Sequence, residues 1–219
     1  MNKLKNIVKD DVSEFLRNLK ELLFNERELQ IRLAVYLKET RHYDDVFVEY
    51  YVPKDVFGCS YIWNSQLYLD VVVRKNEEFF PIELKYKTKE ITVDLPRLGE
   101  TLSNTIVVKN QGAQDLGMYD FWKDIRRIEM VCNRFQAVNN GMAVFLSNDD
   151  KYTRKGKETS NHILFDMTEG VHSIQKHWLN ENAKSAKGRR SFDVTQCYSI
   201  NWNSNIIEDN RFYYCIVEI

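Results

Sequence analysis

The sequence predicts an α/β protein in which a mixed β-sheet is flanked by helices. Three observations support this prediction. Residues 67–86 form two apolar runs rich in β-branched residues, with a polar break between them. Residues 25–40 and 114–135 show the apolar periodicity of helices. Residues 141–147 are a continuous apolar run. The 219 residues suit one domain with a substantial core. We expect a single domain over residues 1–219, with a core at about 11–150 and a C-terminal elaboration at about 151–219.

The N-terminal third is predicted to be two helices followed by a strand. The first helix is expected over residues 11–23 and the second from Asn25 to Thr40, where Asn25 and Glu28 have the spacing of a capping box. Residues 46–52 are rich in Val, Phe and Tyr and predict a strand that ends at Pro53. Glu49 in this strand is either an edge charge or a neighbour of a site.

Residues 67–86 predict a β-hairpin that brings three charged side chains together. A turn centred on residues 76–77 pairs Lys75 with Glu78 and therefore places Asp70 opposite Glu83. Side chains alternate faces along a strand, so Glu83 and Lys85 point the same way. The alternative is a solvated charged face, because a Glu-x-Lys tripeptide occurs often by chance.

Two opposed carboxylates repel each other, and a shared divalent cation removes that repulsion. Mg²⁺ takes carboxylate, carbonyl and water oxygens as ligands. Lys85 would then orient or deprotonate a water molecule or stabilise developing charge. Such a set of groups suits metal-assisted hydrolysis of a phosphodiester.

Asp70, Glu83 and Lys85 resemble the catalytic motif of the PD-(D/E)xK nuclease superfamily, which has the restriction-endonuclease-like fold. Residue 69 is Leu, where the motif often has Pro. The resemblance implies a core of order αβββαβ and a nuclease that depends on Mg²⁺ or Mn²⁺. It further implies that Asp70, Glu83 and the backbone carbonyl of Leu84 are metal ligands.

The superfamily usually adds a glutamate from an early helix, and the second predicted helix offers Glu26 and Glu28. Glu26 shares a helical stripe with three leucines (Leu29, Leu33 and Leu37). A carboxylate at the head of an apolar stripe points to the core or to a cleft. The Glu-Arg-x-apolar order that begins at Glu26 is similar to the start of the first helix of archaeal Holliday-junction resolvases. We therefore favour Glu26 over Glu28 as a catalytic residue and metal ligand; a solvated first-turn Glu is the alternative.

The second half of the chain is predicted to complete the sheet. Residues 91–112 are expected to be irregular, with short extended pieces such as 105–109, and a long helix is expected over residues 114–135. The stripe of this helix extends back to Gln114 and Gln111, which we treat as possible substrate-binding residues, with Tyr119 as a third. RecB-like nucleases carry Gln-x-x-x-Tyr here, whereas four residues separate Gln114 from Tyr119; a capping role for Gln114 is the alternative. Residues 141–147 are expected to be a buried central strand.

The amino-acid composition limits the cellular compartment and the binding partners that we expect for this protein. The four cysteines are scattered, so neither zinc nor a disulfide framework is expected, and a cytoplasmic protein without a signal peptide or membrane span fits best. The net charge of −1 is unlike that of a protein that mainly grips duplex DNA. Residues 151–190 nevertheless hold nine basic and four acidic residues. Loops at 153–161 and 182–190 would clamp a nucleic-acid backbone or be merely solvated.

These observations favour a metal-dependent nuclease acting on nucleic acid, with DNA as the first expectation. One alternative is a catalytically inactive nuclease-fold module that binds nucleic acid or a protein partner. Another is an interaction protein whose charged hairpin face is solvated. A homodimer is compatible with the sequence, which does not specify one.

Overall fold

The computed structural model describes residues 3–219, which form three α-helices and twelve strands. The helices are α1 (Lys3–Asn18), α2 (Glu26–Thr40) and α3 (Gln114–Arg134). The strands are β1 (Asp45–Val52), β2 (Leu67–Lys75), β3 (Glu78–Lys87), β4 (Ile91–Arg97), β5 (Glu100–Val108), β6 (Met142–Ser147), β7 (Gly170–His172), β8 (Gln175–Lys176), β9 (Phe192–Asp193), β10 (Tyr198–Ile200), β11 (Asn203–Ile207) and β12 (Asn210–Glu218). Short 3₁₀ turns cover Lys54–Ser60, Asp150–Thr153 and Ile163–Phe165.

Six strands form a mixed sheet in the order β1-β2-β3-β6-β12-β11. Strands β3 and β6 are parallel, and the other neighbours are antiparallel. The connection from β3 to β6 contains the β4–β5 hairpin and α3. The predicted mixed α/β class is therefore confirmed.

The sheet lies between two layers of helices. Leucines of α2 pack with Ile82 and Leu84 of β3, in a core that also contains α1. Apolar residues of α3 pack against Ala143 and Phe145 of β6 on the opposite face. Successive residues of the central strands therefore serve two cores, which is why β6 is buried at all six positions.

Several predicted elements are confirmed. Helix α2 begins after Asn25, whose side chain accepts a hydrogen bond from the Glu28 backbone N–H at 2.9 Å. The long helix and the buried strand start at or within one residue of their predicted positions. Strand β12 lies between β6 and β11, so the C-terminal region completes the central sheet.

Two predictions about elements were wrong. The first helix runs from Lys3 to Asn18 rather than over residues 11–23, because buried Leu4 and Val8 already belong to its apolar stripe. Residues 91–108 form an antiparallel hairpin with two register shifts, rather than an irregular segment with short extended pieces. Most residues of β5 are exposed, so this hairpin lacks the apolar alternation that predicts a half-buried strand.

No helix within residues 3–219 is both long and apolar enough to cross a membrane.

Candidate functional site

The β2–β3 hairpin has the predicted register. Lys75 pairs with Glu78, and the ladder continues to Val71 and Ile82. Asn76 in the turn has a φ of 54°, a left-handed conformation that Asn tolerates. Asp70 and Glu83 follow the last ladder pair, so they lie where the two strands separate.

The side-chain alternation of β2 breaks at Asp70. Val71 packs in the core under α1 and α2, whereas Leu69 packs on the opposite face of the sheet together with Val72. In the neighbouring strand, Glu49 has a φ of 49° and no ladder pair with Asp70. The irregularity turns Asp70 toward the open edge of β3, where its Oδ2 accepts a 2.7 Å hydrogen bond from the Leu84 N–H.

Glu26 reaches the same edge from the first turn of α2. Its Oε2 accepts a 2.7 Å hydrogen bond from the Tyr86 N–H. Glu28 does not reach this edge: it accepts a hydrogen bond from the Phe24 N–H at 2.8 Å and pairs with Arg32. The structure thus brings Glu26, and not Glu28, to Asp70.

The Leu84 carbonyl faces the same edge. In a β-strand, the N–H and C=O groups of one residue point to the same side of the strand, toward the same neighbouring strand. The Leu84 N–H points at Asp70, so the Leu84 carbonyl is directed to the gap between β2 and β3.

Lys85 forms a buried ion pair that the sequence did not predict. Its Nζ lies 2.8 Å from Oδ2 of Asp124 on α3 and 4.0 Å from Oε1 of Glu26. Burial works against the charged ammonium, but the carboxylates of Asp124 and Glu26 outweigh it and hold the pKa of Lys85 above its ordinary value. Burial likewise disfavours the Asp124 carboxylate, yet Lys85, Lys123 and Arg127 hold its pKa below the ordinary value.

The pKa values of Asp70 and Glu83 are both shifted toward the protonated form. Burial raises the pKa of Asp70 to about 6, although hydrogen bonds from Glu83 and the Leu84 N–H oppose the shift. Burial and the neighbouring Asp70 and Asp124 carboxylates raise the pKa of Glu83 well above its ordinary value. The Asp70 carboxylate disfavours ionisation of Glu83, so a proton retained on Glu83 reduces the repulsion expected for two opposed acids.

A polar cleft opens beside the carboxyl groups of Glu26 and Asp70. It has a volume of about 450 Å³, and its lining includes Glu26, Gln30, Glu49, Asp70 and Gln111. Gln30 donates hydrogen bonds from Nε2 to the Asp70 carbonyl at 2.8 Å and to Glu49 Oε1 at 3.2 Å. Glu49 therefore lies beside the site, and Gln30 links it to Asp70.

The structure places the three predicted substrate-binding residues on or near α3 in three different environments. Gln111 lines the cleft. Gln114 instead donates to Asp149 Oδ2 at 2.8 Å, and the position before α3 is Ala113, so the capping alternative is wrong. Tyr119 is buried and accepts a hydrogen bond from Trp63, away from Asp70.

The oxygen atoms at the strand edge are of the chemical type that a divalent cation takes as ligands. Glu83 Oε1 is buried and has no hydrogen-bond partner among the described residues. It faces Asp70, and the Leu84 carbonyl adds an oxygen of the type that Mg²⁺ accepts. Mg²⁺ is commonly bound by one or two carboxylates with water and substrate completing its shell. Within residues 3–219, no group of three or more His, Cys, Asp or Glu side chains is disposed to hold a metal by itself.

Comparisons with protein-family models, curated proteins and solved structures found no match.

Sequence reasoning missed Asp124 and Gln30. A signal for Asp124 existed, because it lies three residues after Phe121 and four before Ile128 on the buried face of α3. This is the argument that selected Glu26. Gln30 follows the apolar Leu29 on α2, and nothing in its spacing indicates that it contacts Asp70.

Proposed function

We propose that this protein is a metal-dependent nuclease that hydrolyses phosphodiester bonds. The observation that supports this most directly is the meeting of Asp70, Glu83, Glu26 and Lys85 at the edge where β2 and β3 separate. Carboxylates from two strands and a helix lie beside a lysine that keeps its charge. A stability role alone does not account for paired acids in this position.

The order of elements is a second support. Helix α2, strands β1 to β3, helix α3 and strand β6 follow one another, and β6 lies parallel to β3 at the centre of the sheet. This is the order αβββαβ implied by the resemblance to the PD-(D/E)xK superfamily. The β4–β5 hairpin is inserted between β3 and α3, and β11 and β12 extend the sheet beyond β6.

Each side chain has a distinct part in this proposal. Asp70, Glu83 and the Leu84 carbonyl would hold Mg²⁺ or Mn²⁺, with Glu26 contributing directly or through water. The bound ion would supply Lewis acidity and a more acidic water. Lys85 is held protonated by Asp124, so it would donate a hydrogen bond to the attacking water or to a phosphate oxygen rather than remove a proton. Gln30 fixes the backbone of Asp70.

The deciding experiment is cleavage of duplex, single-stranded and branched DNA and of RNA with Mg²⁺, Mn²⁺ or EDTA. Lys85→Ala is compared with wild type and with Lys75→Ala, a control at the other end of the same hairpin. We expect metal-dependent cutting that Lys85→Ala lowers about 100-fold or more and that the control retains. Cutting by Lys85→Ala at the wild-type rate, or unchanged cutting in EDTA, would refute the proposal.

One observation favours a second candidate, a nuclease-fold module without catalysis. Lys85 is engaged by Asp124 at 2.8 Å, and the described residues contain no ready group of three ligands. Such a module would bind its partner without a metal. The absence of cutting by wild type under all conditions, together with no response of stability to Mn²⁺, would support it.

A further inference from the structure

A cleft of about 930 Å³ lies on the α3 side of the sheet. One wall is the segment 62–65 that precedes β2, and the other is the segment 186–191. Tyr119, Asp120 and Lys123 of α3 lie between them. The cleft is therefore bounded by three segments that are far apart in the sequence.

Tyr119 joins the walls of this cleft. Its hydroxyl accepts a hydrogen bond from Trp63 Nε1 at 3.1 Å and donates one to the Arg190 carbonyl at 3.1 Å. Its ring stacks on Trp178 with a centroid separation of 5.5 Å. Because a buried side chain fixes both walls, the cleft is formed before any ligand arrives.

The charge of the cleft is positive. Lys123, Lys187, Arg189 and Arg190 line it, against two acidic residues that already have partners. Asp120 lies 3.4 Å from Lys123, and Glu181 accepts a hydrogen bond from Ser191 at 2.8 Å. Arg189 is partly exposed and donates from Nη1 to the carbonyls of Ser185 and Lys187. Lys187 and Arg190 are exposed, so basic groups remain available for an anion.

Trp63 supplies a partly exposed aromatic ring beside these basic groups. A second cleft of about 270 Å³ shares Trp63 and Arg190 and adds Lys54. Aromatic rings on which bases stack, alternating with cations that follow phosphates, are what a single strand of nucleic acid requires.

The cleft is connected to the carboxylate site through two side chains. Arg127 donates to Ser65 Oγ at 2.6 Å, and its Nη1 lies 3.6 Å from Asp124 Oδ1. Asp124 in turn pairs with Lys85. A strand in the cleft would therefore lie along the same face of α3 as Lys85.

We propose that this cleft binds a short single-stranded segment of nucleic acid, with phosphates on Lys187, Arg189 and Arg190 and a base against Trp63. Its volume is in the range of pockets for small ligands, about 300–1,000 Å³, which suits a few nucleotides. The inference rests on the proposed function, since it names where the substrate strand lies.

The test is fluorescence anisotropy of labelled single-stranded DNA, single-stranded RNA and duplex DNA in EDTA, over a range of salt concentrations. The cleft variant carries Lys187→Gln, Arg189→Gln and Arg190→Gln. The charge-matched control carries Lys3→Gln, Lys20→Gln and Lys38→Gln, which alter exposed lysines of the N-terminal helical region. Thermal melts verify that both variants are folded.

We expect the cleft variant to lose about tenfold or more in single-strand affinity, and its log–log salt slope to fall by about 2, near 0.7 for each lost phosphate contact. Comparing the affinities for single-stranded DNA and single-stranded RNA identifies which of the two sugars is preferred. Single-strand binding equal to wild type would overturn the inference. An equal loss for duplex, or an equal loss in the control, would do so too, because it would indicate general charge attraction.

Two readouts separate this inference from the proposed function. Cleavage by wild type with Mg²⁺ tests the proposed function, and single-strand binding by the cleft variant in EDTA tests the cleft assignment. If wild type does not cut any substrate but the cleft variant loses single-strand binding, the cleft assignment stands and the nuclease proposal fails. If wild type cuts and the cleft variant binds normally, the nuclease stands and the cleft assignment fails.

Discussion

Lys85 is the residue whose chemistry depends most on a neighbour. Its side chain is 15 % exposed and that of its partner Asp124 is 4 % exposed, so the pair is largely removed from water. Removing one member of a buried pair leaves an uncompensated charge and costs about 3–5 kcal/mol. Asp124 is therefore a positioning residue that keeps Lys85 charged and directed along α3.

A double-mutant cycle of Lys85→Met and Asp124→Asn measures this dependence. We expect each single substitution to destabilise the protein by about 3 kcal/mol and the double variant to lose less than their sum, by at least about 1 kcal/mol. The free energy of unfolding from urea titration is the measurement. The exposed pair Lys155–Glu158 is the control, with a coupling of at most about 1 kcal/mol. Additive single effects at Lys85 and Asp124 would contradict the pairing.

Asp70 and Glu83 should make the metal-free protein less stable as the pH rises. Their pKa values are raised in the folded state, that of Asp70 to about 6, so between about pH 4 and 6 the folded chain holds protons that the unfolded chain releases. The stability that this protonation contributes is present at low pH and is lost as the pH rises through the folded pKa.

Asp70→Asn isolates this effect from the other titrating groups. Between pH 4 and 7 in EDTA, we expect the stability of the variant relative to wild type to rise, by up to about 3 kcal/mol at 1.36 kcal/mol for each pKa unit. Asp45→Asn, which changes an acid outside the cleft lining, provides a charge-matched control. A variant whose difference from wild type does not change with pH would show that Asp70 titrates normally.

At the scale of elements, the position of α3 against β3 sets the distance between Asp124 and Lys85. Gly141, which comes just before β6, allows this approach. A Cβ at Gly141 would lie 2.5 Å from Ile128 Cγ2 on α3 and 3.0 Å from the Pro81 carbonyl on β3. The absence of a side chain there lets the helix pack closely on the sheet.

Gly141→Ala should therefore destabilise the protein by about 1–3 kcal/mol, the usual cost of overpacking. Since α3 would have to shift, cleavage should fall further than the loss of folded protein explains. Gly156→Ala is the matched control, because its Cβ would meet Ile163 at an ordinary 3.6 Å. Thermal melts and cleavage rates of the two variants are compared at a temperature where both are folded. Equal behaviour of the two would mean that α3 adapts without cost.

The sequence predicts secondary-structure elements better than it predicts which side chains pair with each other. Asn25, the leucine stripe of α2 and the apolar run of β6 are local signals, and each indicated its element correctly. The turn assumed at residues 76–77 predicted the pairing of Lys75 with Glu78 correctly. The spacing of Asp124 on α3 marks it as buried, but its pairing with Lys85 depends on how α3 crosses the sheet. The β4–β5 hairpin is too exposed to show the apolar alternation that predicts a strand.

At the scale of the whole molecule, the fold concentrates charges that are distant in the sequence. Glu26 comes from α2, Asp70 from β2, Glu83 and Lys85 from β3, and Asp124 from α3. Both layers of helices contribute to the edge of β3 that is left open where β2 separates from it. A ligand that binds this edge therefore connects elements that must separate when the chain unfolds, so it should stabilise the molecule as a unit.

Titration with Mn²⁺ tests this directly and does not require a known substrate. An ion that binds only the folded state stabilises it by RT ln(1 + [L]/Kd), about 2.7 kcal/mol at 100 times Kd. For a chain of 219 residues, this corresponds to a rise in Tm of roughly 5–10 °C, at about 2–4 °C for each kcal/mol. The rise should be larger at pH 8 than at pH 5, because Asp70 and Glu83 must release their protons to bind the ion. Asp70→Asn should abolish most of it, whereas Glu28→Gln, which changes an acid of the α2 cap, should retain it. An identical Tm with Mn²⁺ and with EDTA at both pH values would favour the metal-independent module over the nuclease.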